Sequence, residues 1–438
     1  MLQLLSSGFV SLWLNGTGIY AQPVEVFALQ LLPPLPKFAT IAPRDPVAET
    51  TIDRYLQRLS AKGLSAERQG IWIQSGWQRL ASNQGTVPLP AASITKVATT
   101  LAALDRWGAY HRFETLLSTT GTVRDGVLEG DLIVTGGSDP FFVWEEAIAV
   151  GNALNRLGIR RVTGDLVVEG NFAMNYESDP SVAAGLLVQA LNFEQWNPEA
   201  IAQHATLPPG TPKPQIEIAG QIRTVAQLSP DTARTRIIRR YSLPLAQILK
   251  QMNIYSNNLM AQMLADSVGG ASVVAQRAAQ VAGVSPEEIQ LINGSGLGQE
   301  NRISPRAACA MFAAIQRYLA PVGLNLADLF PVSGRDVGTL IDRDIPAAAV
   351  VKTGTLWNVS ALAGVLPTRD RGLVWFATIN GGDNVDGFRQ QQDILLKTLQ
   401  QQWGATAEPP VAIRPNAQFA AEDTRLGAER RTQVLLGG

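Results

Sequence analysis

The sequence has very little cysteine and histidine, and this scarcity restricts the chemistry that its side chains can perform. Its 438 residues include one cysteine, Cys309, and two histidines, His111 and His204. A single cysteine forms no intramolecular disulfide, and because Cys309 lies in an apolar run we expect a small buried side chain rather than a nucleophile. Neither histidine has a potential metal ligand at a suitable spacing, so we expect no metal site. The shortage also argues against a Ser-His-Asp triad.

Net charge and long apolar segments are also scarce. The formal net charge is -1, and there is no basic patch with interleaved aromatic residues, so we expect no nucleic-acid partner. Beyond the first residues, no segment is apolar enough to cross a membrane. Residues 1–36 contain a mostly apolar stretch without a preceding Lys or Arg. We expect an export signal or its remnant there, and therefore a periplasmic or otherwise extracytoplasmic protein.

The hydrophobic pattern predicts a mixed α+β protein. Helical periodicity appears at residues 47–61, 144–157 and 388–403. The pair Ser304-Pro305 has the serine and proline that favour a helix start. Two alternating runs, at 361–366 and 373–379, predict a hairpin. Residues 178–235 are rich in Pro, Gln and Thr, and we expect loops with short strands there.

Two similar segments indicate a small unit inserted in a larger domain. Residues 130–136 and 164–170 each resemble a strand, and a predicted helix lies between them, which is typical of a β/α unit. Asp139, just after the first strand, is either a turn residue or part of a lip of a substrate cleft. The predicted division is 1–36 as a signal or N-terminal segment, 37–122 with 236–404 as a discontinuous main domain, 123–235 as an inserted β/α domain with a loop-rich remainder, and 405–438 as a polar, mobile tail.

Ser93 lies three residues before Lys96, at the start of an apolar, helix-forming run. Three residues is nearly one helical turn, so the two side chains face the same way. A serine hydroxyl needs a neighbouring base to act as a nucleophile, and a lysine is a base only if its surroundings lower its pKa. On its own the pair also fits a helix start with an ordinary surface lysine.

Two further motifs follow along the chain: Ser-Asn-Asn at residues 256–258 and Lys-Thr-Gly at residues 352–354. We expect Ser256 in a tight turn between helices and Lys352 on an edge strand. Taken singly, the serine could cap a helix and the lysine could protect a strand edge. In this order after the Ser93 motif, they form the signature of penicillin-binding proteins and serine β-lactamases.

With its flanking segments, the sequence resembles the D-alanyl-D-alanine carboxypeptidases and endopeptidases of the class C, low-molecular-mass penicillin-binding type, within the Ser-x-x-Lys serine acyltransferases. The resemblance implies a β-lactamase/transpeptidase-like domain, with an antiparallel sheet flanked by helices plus a helical subdomain, and an inserted small β/α domain. Asn257 departs from the aspartate that is frequent in the family, and the insert is shorter than usual. The flanks that carry the resemblance are residues 255–259, 293–297, 301–306, 338–340, 352–356 and 360–364.

The resemblance also implies a reaction. Ser93 would attack the carbonyl of a D-alanyl-D-alanine end of a peptidoglycan stem peptide, Lys96 would take its proton, and Ser256 would relay a proton to the leaving amine. No cofactor is implied, β-lactams would inhibit by acylating the same serine, and peripheral association with the membrane or the cell wall is expected. Backbone N–H groups of Ser93 and Thr355 would form the oxyanion hole. The residues expected to bind the substrate are Asn258, Lys352, Thr353, Gly354 and Thr355.

Two other functions stay open from the sequence. A serine β-lactamase uses the same motifs, but there is no Glu-x-x-Leu-Asn deacylation motif between Lys96 and Ser256. A catalytically weak, cell-wall-binding scaffold would keep the fold, but the intact Ser93, Lys96, Ser256 and Lys352 argue against it. Carboxypeptidase and endopeptidase action are not distinguished by the sequence, and neither is the oligomeric state.

Overall fold

The computed structural model describes residues 45–417, 419 and 425–435. The predicted signal segment, residues 1–36, lies outside these ranges. Within them, no helix has both the length and the apolar character that crossing a bilayer requires. The α-helices of the described residues are α1 (Pro46–Ser60), α2 (Thr95–Trp107), α3 (Trp144–Arg156), α4 (Pro180–Leu191), α5 (Pro198–Ala205), α6 (Leu245–Tyr255), α7 (Asn258–Val268), α8 (Ala271–Ala282), α9 (Pro305–Leu319) and α10 (Val385–Trp403).

The β-strands form sheets of five, six, four and three strands within the same ranges. The strands are β1 (Gln69–Ser75), β2 (Gln78–Asn83), β3 (Leu89–Pro90), β4 (Glu114–Thr119), β5 (Thr122–Arg124), β6 (Val127–Glu129), β7 (Leu132–Gly137), β8 (Arg161–Val162), β9 (Leu166–Asn171), β10 (Glu217–Ile218), β11 (Ile222–Val225), β12 (Thr235–Tyr241), β13 (Ile289–Gln290), β14 (Arg302–Ile303), β15 (Val350–Leu356), β16 (Val359–Thr368), β17 (Gly372–Gly381) and β18 (Thr432–Val434).

The main sheet is five-stranded and antiparallel, in the order β15-β16-β17-β1-β2. Every residue of β16 is buried, because both faces of the sheet are covered. Alternate residues of this strand belong to two different hydrophobic cores: Ala361 and Ala363 pack with α2 and α6–α9, whereas Leu362 and Leu366 pack with α1 and α10. The sheet is therefore the middle layer of the main domain, and β15 forms its edge as predicted.

Helix α9 begins where the sequence predicted. The hydroxyl of Ser304 accepts a hydrogen bond from the backbone N–H of Ala307 at 3.0 Å, and Pro305 occupies the first helical position. Cys309 lies on the buried side of this helix, as expected, and burial raises the pKa of its thiol well above the usual value. The cysteine is thus a packing residue of the helical core.

The inserted unit is a β/α structure, as predicted. Strands β7 and β9 run parallel, with Leu132 beside Leu166, and α3 connects them. The six-stranded sheet has the order β11-β9-β7-β4-β12-β18, so β4 and β12 also belong to it. We therefore propose that the insert runs from Glu114 to Tyr241, somewhat beyond the range of 123–235 expected from the sequence.

The expectation of loops with short strands agrees with residues 206–234, which include β10 and β11, but it is wrong for residues 180–205, where α4 and α5 lie. The Asp179 carboxylate accepts hydrogen bonds from the first turn of α4, and the Asn197 side chain does so for α5. Each cap is followed by a proline at the first helical position, Pro180 and Pro198. Proline lacks a backbone N–H, but this position needs none, so these prolines start helices instead of preventing them.

The C-terminal segment, which was predicted to be a mobile tail, pairs with the insert where the structure describes it. Strand β18 pairs antiparallel with β12, placing Val434 beside Ile238. Just before it, Arg431 is buried and donates to both carboxylate oxygens of Glu146 on α3, at 2.7 and 2.5 Å. Arg240 donates to the same carboxylate at 2.8 Å. Arg431 of the C-terminal segment thus pairs with a buried carboxylate in the insert.

Candidate active site

Ser93 lies in a short 3₁₀ turn, Ala92–Ile94, that leads into α2. Ala92 adopts a φ of 46°, in the left-handed region that costs an alanine about 1–2 kcal/mol. The neighbouring loop holds this turn closely, since a Cβ at Gly296 would lie 1.9 Å from the carbonyl oxygen of Ala92. The serine is therefore presented by a strained turn that a glycine loop packs against.

Lys96 lies one turn later in α2 and is completely buried. Its Nζ is 2.8 Å from the hydroxyl of Ser93, 2.7 Å from Oδ1 of Asn258 and 2.7 Å from the carbonyl oxygen of Ser295. Burial lowers the pKa of Lys96 to about 7. At neutral pH a substantial fraction of this amine is therefore unprotonated and can accept the proton of the serine.

Ser256 links α6 to α7 in the left-handed conformation, with a φ of 53°. Its hydroxyl accepts a hydrogen bond from Nζ of Lys352 at 2.9 Å. The helix cap of α7 is the next residue: Oδ1 of Asn257 accepts from the N–H of Met260 at 3.0 Å. The side chain of Asn257 thus caps α7, as an aspartate would also do. The contact with Lys352 is made by Ser256.

Lys352 lies on the edge strand β15, and it too is completely buried. Besides contacting Ser256, its Nζ donates to the carbonyl oxygen of Thr353 at 2.8 Å. Burial, and in addition the charge of Lys96, lower the pKa of Lys352 well below its usual value. Burial thus disfavours the charged form of both amines, and a bound anion would stabilise that form.

Gly354 brings β15 into contact with the serine turn. A Cβ at this position would lie 2.9 Å from the carbonyl oxygen of Ala91 and 3.0 Å from the backbone nitrogen of Ser93. Any larger residue would push the strand and the turn apart. The glycine therefore allows the edge strand β15 to lie directly against the turn that carries Ser93.

The remaining predicted residues line the same region. Thr353 and Thr355 are two positions apart and project from the same face of β15. The hydroxyl of Thr353 donates to that of Thr339 at 2.9 Å, and the guanidinium of Arg389 donates to that of Thr355 at 3.0 Å. The structure thus brings together all eight predicted site residues.

Three residues that contact the predicted site residues were not themselves predicted from the sequence: Ser295, Thr339 and Arg389. The segment around Ser295 was noted, but its glycines suggested only a turn, and the contact with Lys96 is made by a backbone carbonyl. Thr339 lies in another noted flank. No local pattern marks Arg389, which reaches Thr355 from α10.

Asp139 is buried in the insert, and its carboxylate accepts a hydrogen bond from the N–H of Phe141 at 2.9 Å. Burial raises the pKa of Asp139 to about 7. Of the two interpretations offered by the sequence, this bond supports the turn residue.

The chain is similar to known proteins over most of its length. The D-Ala-D-Ala carboxypeptidase 3 (S13) family model matches residues 49–186 and 187–401. The chain is 26% identical over 423 residues to the carboxypeptidase DacB of Mycolicibacterium smegmatis, which covers 85% of this chain and 90% of that relative.

Two solved structures have a similar fold. The Bd3459 predatory endopeptidase of Bdellovibrio bacteriovorus has a TM-score of 0.66 and 23% identity, covering 80% of this chain and 97% of that one. It has also been solved acylated by penicillin G. Penicillin binding protein 4 (dacB) of Haemophilus influenzae has a TM-score of 0.61 and 18% identity, covering 79% and 99%. The predicted fold class is confirmed.

Proposed function

The chain belongs to the D-Ala-D-Ala carboxypeptidase 3 (S13) family, and we propose that it cleaves D-alanyl-D-alanine ends of peptidoglycan stem peptides through an acyl-enzyme on Ser93. The family assignment confirms the resemblance seen in the sequence. One observation supports the assignment of the nucleophile above all others: the buried Lys96, with its lowered pKa, lies 2.8 Å from the Ser93 hydroxyl.

In the acylation step, Lys96 takes the proton of Ser93 while the serine oxygen attacks the carbonyl carbon. General-base catalysis of this kind contributes about 10²–10⁴-fold. Asn258 and the carbonyl of Ser295 keep the amine beside the serine. Only an unprotonated Lys96 can act in this way, which is why its burial matters for the reaction.

Negative charge then develops on the carbonyl oxygen, and backbone N–H groups of Ser93 and Thr355 would stabilise it. The tight packing of Gly354 against the Ser93 nitrogen supports this pairing, because it brings the two backbone segments side by side. Loss of one such donor typically costs about 10²–10³-fold in rate.

Departure of D-alanine requires a proton on its amine. Ser256 supplies it in this scheme while Lys352 orients its hydroxyl, and the proton that Lys96 took from Ser93 then passes to the Ser256 oxygen, so that Lys96 is again a free base. Lys96 then takes a proton from water as the water oxygen attacks the ester carbonyl, and gives that proton to the Ser93 oxygen as the ester bond breaks and the shortened stem peptide leaves. Thr353, Thr355 and Lys352 hold the substrate's terminal carboxylate, whose negative charge favours the protonated form of Lys352.

β-Lactams acylate Ser93 by the same route and inhibit the enzyme, and the penicillin-acylated form of Bd3459 supports this part of the proposal. The substrate lies in the cell wall, so we propose an exported enzyme in the periplasm or a comparable extracytoplasmic space. Peripheral attachment to the wall or the membrane surface is compatible with this location.

A direct test compares a stem pentapeptide with a cross-linked muropeptide dimer, using the wild type and Ser93→Ala. We expect the wild type to release D-alanine from the pentapeptide, and monomers from the dimer if it is also an endopeptidase; Ser93→Ala should do neither. Rapid release of opened penicillin without any D-alanine would favour a β-lactamase instead. Folded wild type that cleaves nothing would favour a wall-binding scaffold.

A further inference from the structure

Arg389 of α10 extends to the same strand that carries the proposed carboxylate-binding threonines. Its Nη2 donates to the hydroxyl of Thr355 at 3.0 Å, and its Nη1 contacts the carboxylate of Asp386 at 3.1 Å. The Arg389 side chain is 39% exposed. A guanidinium has five N–H donors, and these two contacts engage two of them. Arg389 therefore presents a positive charge to solvent beside Thr355.

Lys352, the other basic residue of this region, lies in a different environment. Lys352 is completely buried, and its Nζ points to the hydroxyl of Ser256 and the carbonyl of Thr353. Its environment disfavours protonation. A carboxylate held at the hydroxyl of Thr355 therefore has a second positive group within reach, the guanidinium that contacts the same hydroxyl. Arg389 is also always charged at physiological pH.

We propose that Arg389 binds the free C-terminal carboxylate of the substrate together with the hydroxyl of Thr355, and so determines specificity for an unblocked D-alanine end. This inference rests on the proposed function, because it names a further specificity residue for the same site. A guanidinium can bind a carboxylate through two parallel hydrogen bonds, which a lysine cannot do. Asp386 competes for the same guanidinium and therefore weakens substrate binding.

The test uses two substrates that differ only in their end: diacetyl-L-lysyl-D-alanyl-D-alanine and the same peptide with a C-terminal amide. Charged hydrogen bonds suggest that Arg389→Gln raises KM for the free acid by about ten- to a hundredfold, with kcat changed far less. KM for the amide should stay close to the wild-type value. Arg389→Lys should lie between the two. Lys397→Gln is the matched control, because it removes one positive charge from the same helix, from a residue that pairs with Asp344.

Asp386→Asn is a second variant, and it should change KM in the opposite direction. Its carboxylate is 86% exposed, so folding should be unaffected, and KM for the free acid should fall. The inference is overturned if Arg389→Gln behaves like Lys397→Gln, or if it weakens both substrates equally. In those cases an active wild type leaves the proposed function standing. A folded wild type that cleaves neither substrate would instead remove the proposed function and this inference together.

Discussion

The amine of Lys96 lies 2.8 Å from the hydroxyl of Ser93, one helical turn away and without access to solvent. Asn258 and the carbonyl of Ser295 fix the amine from its other sides. The nucleophile and its base are thus aligned before any substrate binds, so that little reorganisation is required for the first proton transfer. The burial that fixes this geometry also lowers the pKa of Lys96, and the pH dependence of the reaction should reveal it.

The rate of acylation should rise with pH and level off above about 7, because burial lowers the pKa of Lys96 to about 7 and only the unprotonated amine accepts a proton. Below this pH the amine is protonated and the rate should fall tenfold per pH unit. The measurement is the second-order rate constant for a labelled penicillin between pH 5 and 9. A rising limb near pH 10, the range of an ordinary lysine, would contradict the role assigned to Lys96.

Asn258→Asp serves as the control for this assignment. It places a carboxylate where Oδ1 of Asn258 lies 2.7 Å from the Lys96 amine. A negative charge at that distance raises the pKa of a lysine, by about 1–3 units. The rising limb should therefore move to higher pH while the fold is retained. A limb that stays in place would show that another group titrates.

Ser256→Gly and Ser256→Ala should lose the same activity but differ in stability. Both variants remove the hydroxyl that contacts Lys352, so cleavage should fall by about 10²–10⁴-fold in each. The backbone φ of 53° suits glycine but strains alanine, so the glycine variant should be more stable by about 1 kcal/mol. Urea unfolding and D-alanine release measure the two effects. Full activity in either variant would exclude Ser256 from proton transfer.

Arg431→Met should destabilise the protein at neutral pH. Burial raises the pKa of Glu146, but the adjacent Arg240 and Arg431 outweigh it and lower the pKa to about 2. Removing one of the two guanidinium groups leaves a buried carboxylate with one guanidinium and the N–H of Gly427, which suggests a loss of about 3 kcal/mol. Thermal or urea unfolding measures it. Glu429→Gln is the control, since it breaks only the exposed pair with Arg156 and should change stability by less than about 1 kcal/mol.

The pH dependence of the same cluster has a definite sign. The folded-state pKa of Glu146 lies below its usual value of 4.5. Its contribution to stability is therefore present above pH 4.5 and is lost as the pH falls toward 2. Arg431→Met should show a weaker loss over this interval than the wild type. An equal loss would mean that Arg431 does not hold this carboxylate charged.

The site could be predicted from the sequence wherever it rests on side chains in local motifs. Ser93 and Lys96 lie one turn apart on a helix, so their spacing predicts their contact. Ser304 and Pro305 define the start of α9 in the same local way. The partners of Lys96 come from distant segments. Asn258 was expected at the site from the family resemblance, whereas Ser295 acts through its backbone, which leaves no trace in side-chain chemistry.

The errors have local physical causes. Helix α4 is apolar nearly all round, so it lacks the polar face that marks an amphipathic helix, and its starting proline suggested a loop. The tail residue Arg431 looks like an ordinary solvated arginine, because nothing near it in sequence indicates the buried Glu146, 285 positions away. The sequence did not identify Arg389 as a site residue for the same reason, since its contact with Thr355 depends on how α10 packs on the sheet.

The measurement that tests the central assignment most directly is reaction with a labelled penicillin, followed by proteolysis and mass mapping of the adduct. The buried Ser93–Lys96 pair predicts one stable adduct on the peptide that carries Ser93. Ser93→Ala, shown to be folded by its thermal transition, should carry none. Folded wild type without an adduct, or with the adduct on another serine, would contradict the assignment of Ser93 as the nucleophile.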